Sequence, residues 1–120
     1  MFELKSWQTR ALVIRPESQI FIDGEFVAAA SGKTFNNFAP RDNHLIGKNA
    51  AGDLDAVNRA VASAKKVFEA GTWREMNPRD KKRIMLRRAE LMDANKEELA
   101  LLEAVDTGRP ISDALNVDVP

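Results

Sequence analysis

The chain reads as an α/β fold in which an N-terminal β-hairpin and short strands are followed by three or four helices. Three observations predict it. An Asp23-Gly24 turn signal separates two short β-compatible runs, 20–22 and 25–28. From Asp53 onward the apolar residues recur every three or four positions. Helix punctuation then follows at Gly71, Asn77-Pro78, Gly108 and Pro110.

The opening stretch MFELKSWQTRALVIRPESQI carries Glu3, Lys5, Arg10 and Arg15 through every apolar run. Neither a signal-peptide core nor a membrane-spanning helix fits there, so 1–19 is read as an N-terminal extension and 20–120 as the domain proper. Asp and Gly both tolerate the left-handed region, and a type I′ turn requires it at both central positions, so 20–28 is predicted to be a hairpin. After Ser31-Gly32, residues 34–38 form a third strand closed by Ala39-Pro40. A fourth runs over 45–51, weakened by Gly47 and Asn49.

Leu54, Val57, Val61, Ala64 and Phe68 share one helix face, and Gly71 stops that helix. Asn77 caps the next, with Pro78 at its first position and Asp80 in its first turn. Its apolar pairs Ile84/Met85 and Leu91/Met92 flank Ala89 on one side, and charged residues fill the rest. Asn95 with Glu98 three residues later resembles a capping box, predicting a third helix over about 96–106 closed by Gly108. Pro110 then opens a fourth.

Eighteen basic residues balance eighteen acidic ones, which leaves no net field for a nucleic-acid backbone or an anionic membrane. The chain has no cysteine, so a thiol nucleophile, a thiolate metal site and a disulfide are all excluded within it. The expected location is the cytoplasm. Three amphipathic helices ask for more apolar partner surface than a few short, partly polar strands offer. The isolated chain is therefore expected to be weakly stable or to associate, and its end inside an incipient helix reads as a truncation.

Local chemistry is sparse. The six glycines make neither G-x-G-x-x-G nor a P-loop. His44, the only histidine, sits in a polar segment without a recognisable relay partner. The basic run 81–83 with Arg87 and Arg88 alternates with Glu90, Asp93, Glu97 and Glu98, as a solvated helix face does. Phe68 and Trp73, aromatic residues at a helix end, are read as core plugs. Asp106 stands out because it is acidic near a helix C-terminus, where the dipole disfavours negative charge. A cation could compensate it; so could a role in the turn before Gly108 or a pairing with Arg109.

FIDGEF, then TFNNFAP, the helix through Arg59 to Phe68, Trp73, the helix with Leu86, Ala89 and Leu91, and LEAVDTGRP follow one another in a characteristic order and spacing. Over about 19–120 the chain resembles the N-terminal region of the NAD(P)-dependent aldehyde dehydrogenase superfamily, most of all the gamma-glutamyl-gamma-aminobutyraldehyde dehydrogenases, partly through its closing Asp118-Val119-Pro120. The resemblance implies part of a Rossmann-like cofactor domain, with helices packed on a sheet supplied later in sequence. It implies a parent enzyme, homodimeric or homotetrameric, that oxidises an aldehyde to a carboxylate with NAD or NADP. There a cysteine nucleophile, an oxyanion hole and a Glu-activated water, all downstream of Pro120, perform the chemistry.

The resemblance places one site in this chain, a monovalent-cation site formed by the backbone carbonyls of Asn37 and Phe38 and by Asp106. Ala39 departs from the family, which usually has Asn before this proline, and Asn49 replaces a usual apolar strand residue. No catalytic or dinucleotide-binding residue falls within the chain. The alternative from a different class is a free-standing α+β interaction or scaffolding module without catalysis.

Overall fold

The computed structural model describes residues 2–119, with side chains from Ser6 onward. Pro120, part of the closing tripeptide noted above, lies outside the described residues. The element order is α1 (Phe2–Val13), β1 (Ile20–Ile22), β2 (Glu25–Val27), β3 (Thr34–Phe38), β4 (Leu45–Ala50), α2 (Leu54–Glu69), α3 (Pro78–Ala94), α4 (Lys96–Thr107) and α5 (Ile111–Asp113), followed by a π-helical turn over Ala114–Asp118. The predicted strands and helices are all present. Two two-stranded sheets form, β1 with β2 and β3 with β4.

The chain divides into two compact units, one of residues 17–36 and 48–87, the other of 1–16, 37–47 and 88–120. In the first, β1 and β2 pair antiparallel with Ile20 opposite Val27, Phe21 opposite Phe26 and Ile22 opposite Glu25. Asp23 and Gly24 have φ of 55° and 84°, the doubly left-handed backbone of a type I′ turn. The Phe21 and Phe26 rings meet across the strands with centroids 5.1 Å apart. Ile22 points inward, and α2 lies against β1 with Ala56 buried.

Asp53 fixes that packing. Its Oδ1 accepts from the Ala56 N–H at 3.0 Å as the N-cap of α2, and its Oδ2 accepts from the Ser31 N–H at 3.0 Å. One carboxylate thus ends the strand region and begins the helix. Both hydrogen bonds, that from Ala56 first, lower its pKa from the ordinary 3.8. Further along α2, the Ser63 hydroxyl donates to Asp23 at 3.1 Å and ties the helix to the hairpin turn. Gly71, at φ 69°, ends this region, and Asn77 Oδ1 caps α3 by accepting from the Arg79 N–H at 2.9 Å.

In the second unit α1 packs against α4, and α4 against α5 and the π-helical turn. The helix α1 occupies the stretch read from sequence as an extension. Its apolar residues keep no single face, so no periodic signal marks it. What fixes it is remote in sequence: the Arg10 guanidinium stacks 4.3 Å from the Trp7 ring centre and donates to Glu97 at 2.7 Å. Asn95 also differs from expectation. Its side chain makes no N-cap bond to α4 and instead donates Nδ2–H to the Leu91 carbonyl at 2.7 Å, closing the end of α3.

The cores are small. Ile22, Ala29 and Ala56 are buried in one unit, and Ala39, Ile46, Ala100, Leu101 and Ala114 in the other. No large side chain among the described residues is completely enclosed. The periodic face of α2 exists as predicted, yet Leu54, Val57, Val61 and Phe68 are exposed at 74%, 54%, 60% and 64%. The helix rests on its small residues, and its large ones face outward. Ile84, Met85, Leu91 and Met92 of α3 are likewise exposed, and none of that helix's residues is buried. Phe68 and Trp73 are therefore not core plugs here. Cationic side chains cover them instead, Arg74 5.3 Å over the Phe68 ring and the Lys81 Nζ 6.0 Å over Trp73.

Candidate functional site

Two of the three residues named as a cation site, Asn37 and Asp106, meet where the end of β3 approaches the end of α4. Helix α4 begins with Glu97 and Glu98 in its first turn, where the dipole favours them, and ends in a left-handed Gly108 at φ 76° whose N–H donates to the Ala104 carbonyl at 3.1 Å. Asp106 stands in the last turn, which contains no basic residue. Its Oδ1 accepts from the Asn37 Nδ2–H at 3.2 Å, and Asn37 lies on β3. Phe38 follows on the same strand, with its ring half in solvent.

Two readings of Asp106 that compete with a cation are separated by this geometry. Arg109 does not pair with Asp106: its Nη1 donates to Asp118 at 2.8 Å and braces the π-helical turn. The turn before Gly108 is closed by other groups, the Thr107 hydroxyl donating to Glu103 O at 2.7 Å and the Gly108 N–H donating to Ala104 O. Behind this turn, a β-carbon added at Gly108 would lie 3.4 Å from Pro40 Cβ and 3.5 Å from Arg41 N. The helix end and the β3–β4 turn are in direct contact.

That turn is ordered around Ala39, which is 2% exposed. Its N–H donates to His44 O at 2.9 Å, and its carbonyl accepts from the Asn43 N–H at 2.8 Å, with Asn43 left-handed at φ 59°. Alanine at 39 therefore fills a tight apolar position beside the candidate carbonyls. Asn49 is half-buried, and no buried side-chain polar atom among the described residues lacks a partner.

His44 does have a carboxylate partner, which its sequence context did not reveal. Asp42 Oδ1 contacts its Nδ1 and also accepts the His44 N–H at 3.2 Å, while Arg41 donates to Asp42 Oδ2 at 3.2 Å. The side-chain hydrogen bond from His44 is the main reason Asp42 has its pKa lowered to about 2. No nucleophile adjoins the pair in these interactions, so it organises the turn. The basic face of α3 is internally engaged too, with Arg83 3.2 Å from Asp80 and the Lys81 Nζ donating to the Arg74 carbonyl at 3.1 Å.

Among the described residues no three His, Asp or Glu side chains gather as metal ligands. A cation at the end of α4 would rest on one carboxylate and main-chain carbonyls. That donor set, oxygen-only and singly charged, fits a monovalent ion better than Mg²⁺ or Ca²⁺, whose sites ask for more carboxylates or stricter geometry. No described helix is long and apolar enough to cross a membrane.

With strand–turn–helix order and helix ends in place, the relatives agree with the resemblance. The aldehyde dehydrogenase family model matches residues 26–120, and the chain belongs to that family. It is 41% identical over 117 residues to the NADP/NAD-dependent aldehyde dehydrogenase PuuC of Escherichia coli, a match covering 98% of this chain and 24% of that enzyme. Among solved structures, it superposes with a TM-score of 0.92 on a gamma-glutamyl-gamma-aminobutyraldehyde dehydrogenase of Burkholderia cenocepacia, at 43% identity over 98% of this chain and 24% of that one. An indole-3-acetaldehyde dehydrogenase of P. syringae, solved with NAD+, gives 0.90 at 46% identity, covering 97% and 23%. The chain spans about a quarter of the length of these relatives.

Proposed function

We propose that the chain is the N-terminal part of an aldehyde dehydrogenase subunit, 1–19 as an extension and 20–120 as the start of the cofactor domain. The parent oxidises an aldehyde to a carboxylic acid with NAD or NADP, as a cytoplasmic homodimer or homotetramer. One observation supports this above the rest: the helices present well-formed apolar faces, Leu54, Val57, Val61 and Phe68 on α2 and Ile84, Met85, Leu91 and Met92 on α3, that remain exposed among the described residues. A self-sufficient scaffolding module would bury them. Relatives about four times as long have the further chain from which such a partner surface could come.

The aldehyde is not encoded in this stretch. Enzymes named for indole-3-acetaldehyde and for gamma-glutamyl-gamma-aminobutyraldehyde match it at 46% and 43% identity, too close to separate them. Within the chain, Asp106 and the carbonyls of Asn37 and Phe38 are the proposed monovalent-cation site. The test of the parent reading is the reading frame beyond the Pro120 codon. Continuation into a glycine-bearing strand-to-helix turn, then a Glu and a Cys, is expected. An unrelated continuation would leave the scaffolding alternative standing.

A further inference from the structure

The tip of the β1–β2 hairpin sets an aspartate carboxyl next to a glycine nitrogen. Asp23 and Gly24 are both exposed, and both are left-handed, at φ 55° and 84°. Glycine has no side chain to shield its nitrogen, and even a β-carbon built there would meet nothing within 4 Å. The ladder closes with Ile22 opposite Glu25, the residues flanking the turn, which leaves the Gly24 N–H outside it. The carboxyl is held from α2, where the Ser63 hydroxyl donates to Asp23 Oδ1 at 3.1 Å. We propose that Asp23-Gly24 is a self-modification site, where aspartate isomerises through a succinimide to isoaspartate, and that Ser63 restrains the reaction by holding the turn closed.

The reaction needs no reagent but water. The Gly24 nitrogen attacks the side-chain carboxyl carbon of Asp23, a C–N bond closes the succinimide ring, and the carboxyl's hydroxyl leaves with the amide proton as water. Water then opens the ring at either carbonyl. One opening restores aspartate; the other routes the main chain through the former side chain and frees the α-carboxyl, with no net change in atoms. Closing the ring turns the 23–24 peptide out of its type I′ orientation, so cyclisation proceeds only from an opened turn, at a rate set by how often the turn opens. The Ser63 bond ties the turn to α2 and lowers that population. The isoaspartate product has an extra backbone methylene in the two-residue loop that fixes the pairing of 20–22 with 25–27, so the modification loosens the hairpin register and displaces the acceptor of Ser63.

The test incubates the full 120-residue chain at neutral pH in heavy-oxygen water, which labels each succinimide as it opens. Trypsin in ordinary water then releases residues 11–33, a peptide in which Asp23 is the only Asp or Asn. Heavy-oxygen uptake in that peptide counts ring openings, and resistance to an aspartate-specific endoproteinase measures isoaspartate. Far-UV circular dichroism checks that each variant keeps its helix content. The folded chain should take up label more slowly than the same chain unfolded in urea. Ser63→Ala should take it up about five-fold faster than the unsubstituted chain, the factor that corresponds to one net hydrogen bond. Ser63→Thr, which keeps the hydroxyl, should stay near the unsubstituted rate. Equal rates for Ser63→Ala and the unsubstituted chain, or equal rates for that chain folded and in urea, would overturn the restraint. Absence of label at Asp23 in the folded chain and in urea alike would overturn the site itself.

Discussion

Single residues hold this chain at the ends of its elements. Asp53 serves two backbone donors at once, the Ala56 and Ser31 N–H groups, and its pKa is lowered as a result. Asp42, clasped by His44 and Arg41, is lowered to about 2. A carboxylate whose folded pKa lies below the unfolded one contributes stability that is fully present above the unfolded value and is lost as pH falls through the folded value. Both groups therefore leave stability unchanged above about pH 5 and withdraw it between the ordinary 3.8 and lower pH, down to about 2 for Asp42. Urea midpoints measured from pH 6 to pH 2 should fall over that window, and Asp53→Asn should lie lower at pH 6 and fall less steeply. A parallel, undiminished fall would remove Asp53 from the account. Gly108 supplies a second residue-scale expectation. At φ 76° an alanine is strained whatever the space around it, so Gly108→Ala should cost about 1–2 kcal/mol. Gly108→Asn, which tolerates the left-handed region, should lose less; equal losses would point to the contact with Pro40 as the cause instead.

At the scale of elements, the difference between what was legible and what was not follows the range of the interactions. The Asp23-Gly24 hairpin, the stop at Gly71, the Asn77-Pro78 start and the stop at Gly108 are local devices, and each stands where its residues place it. Helix α1 was not legible because its anchor, Arg10 to Glu97, spans 87 positions. The Asp42–His44 pair has no sequence signature, because two polar residues two positions apart look like any solvated turn until the backbone folds them together. Asn95 departs from its expected role for a related reason. Asparagine is a good N-cap by type, but the end of α3 lies so close to the start of α4 that its amide serves the helix behind it. This makes a discriminating prediction. Aspartate equals asparagine as a cap acceptor yet cannot donate to the Leu91 carbonyl, so Asn95→Asp should destabilise by about 0.5–1.5 kcal/mol in urea unfolding. A neutral or stabilising result would restore the capping-box reading. For the candidate site, the sequence carried Asp106 as an oddity and the resemblance added Asn37 and Phe38. The side-chain bond between Asn37 and Asp106 had no local signature, because the two residues are 69 positions apart.

At the scale of the whole molecule, the helices are patterned for more protein than the 120 residues contain. Small buried side chains, mostly alanine, form the cores, while the large apolar ones on α2 and α3 face outward. Such a chain is held chiefly by caps, turns and the β-pairing, with little hydrophobic reserve. It should bind a hydrophobic dye, associate in sedimentation at micromolar concentration, and oxidise no aldehyde with NAD+ or NADP+; turnover by the purified chain would contradict its having no catalytic residue. The decisive variant is Val57→Glu with Val61→Glu. Both positions are already exposed, at 54% and 60%, so the charges should reduce dye binding and association while changing stability by no more than about 0.5 kcal/mol each. If the double variant instead unfolds the chain, that face is covered in solution, and the chain has closed on itself as a free-standing module would. If it behaves as expected, the same two charges placed in the proposed complete subunit should be far more disruptive than in the isolated chain, because a partner surface on that face would bury a carboxylate unpaired. That contrast between part and whole is what an incomplete core predicts and a complete one does not.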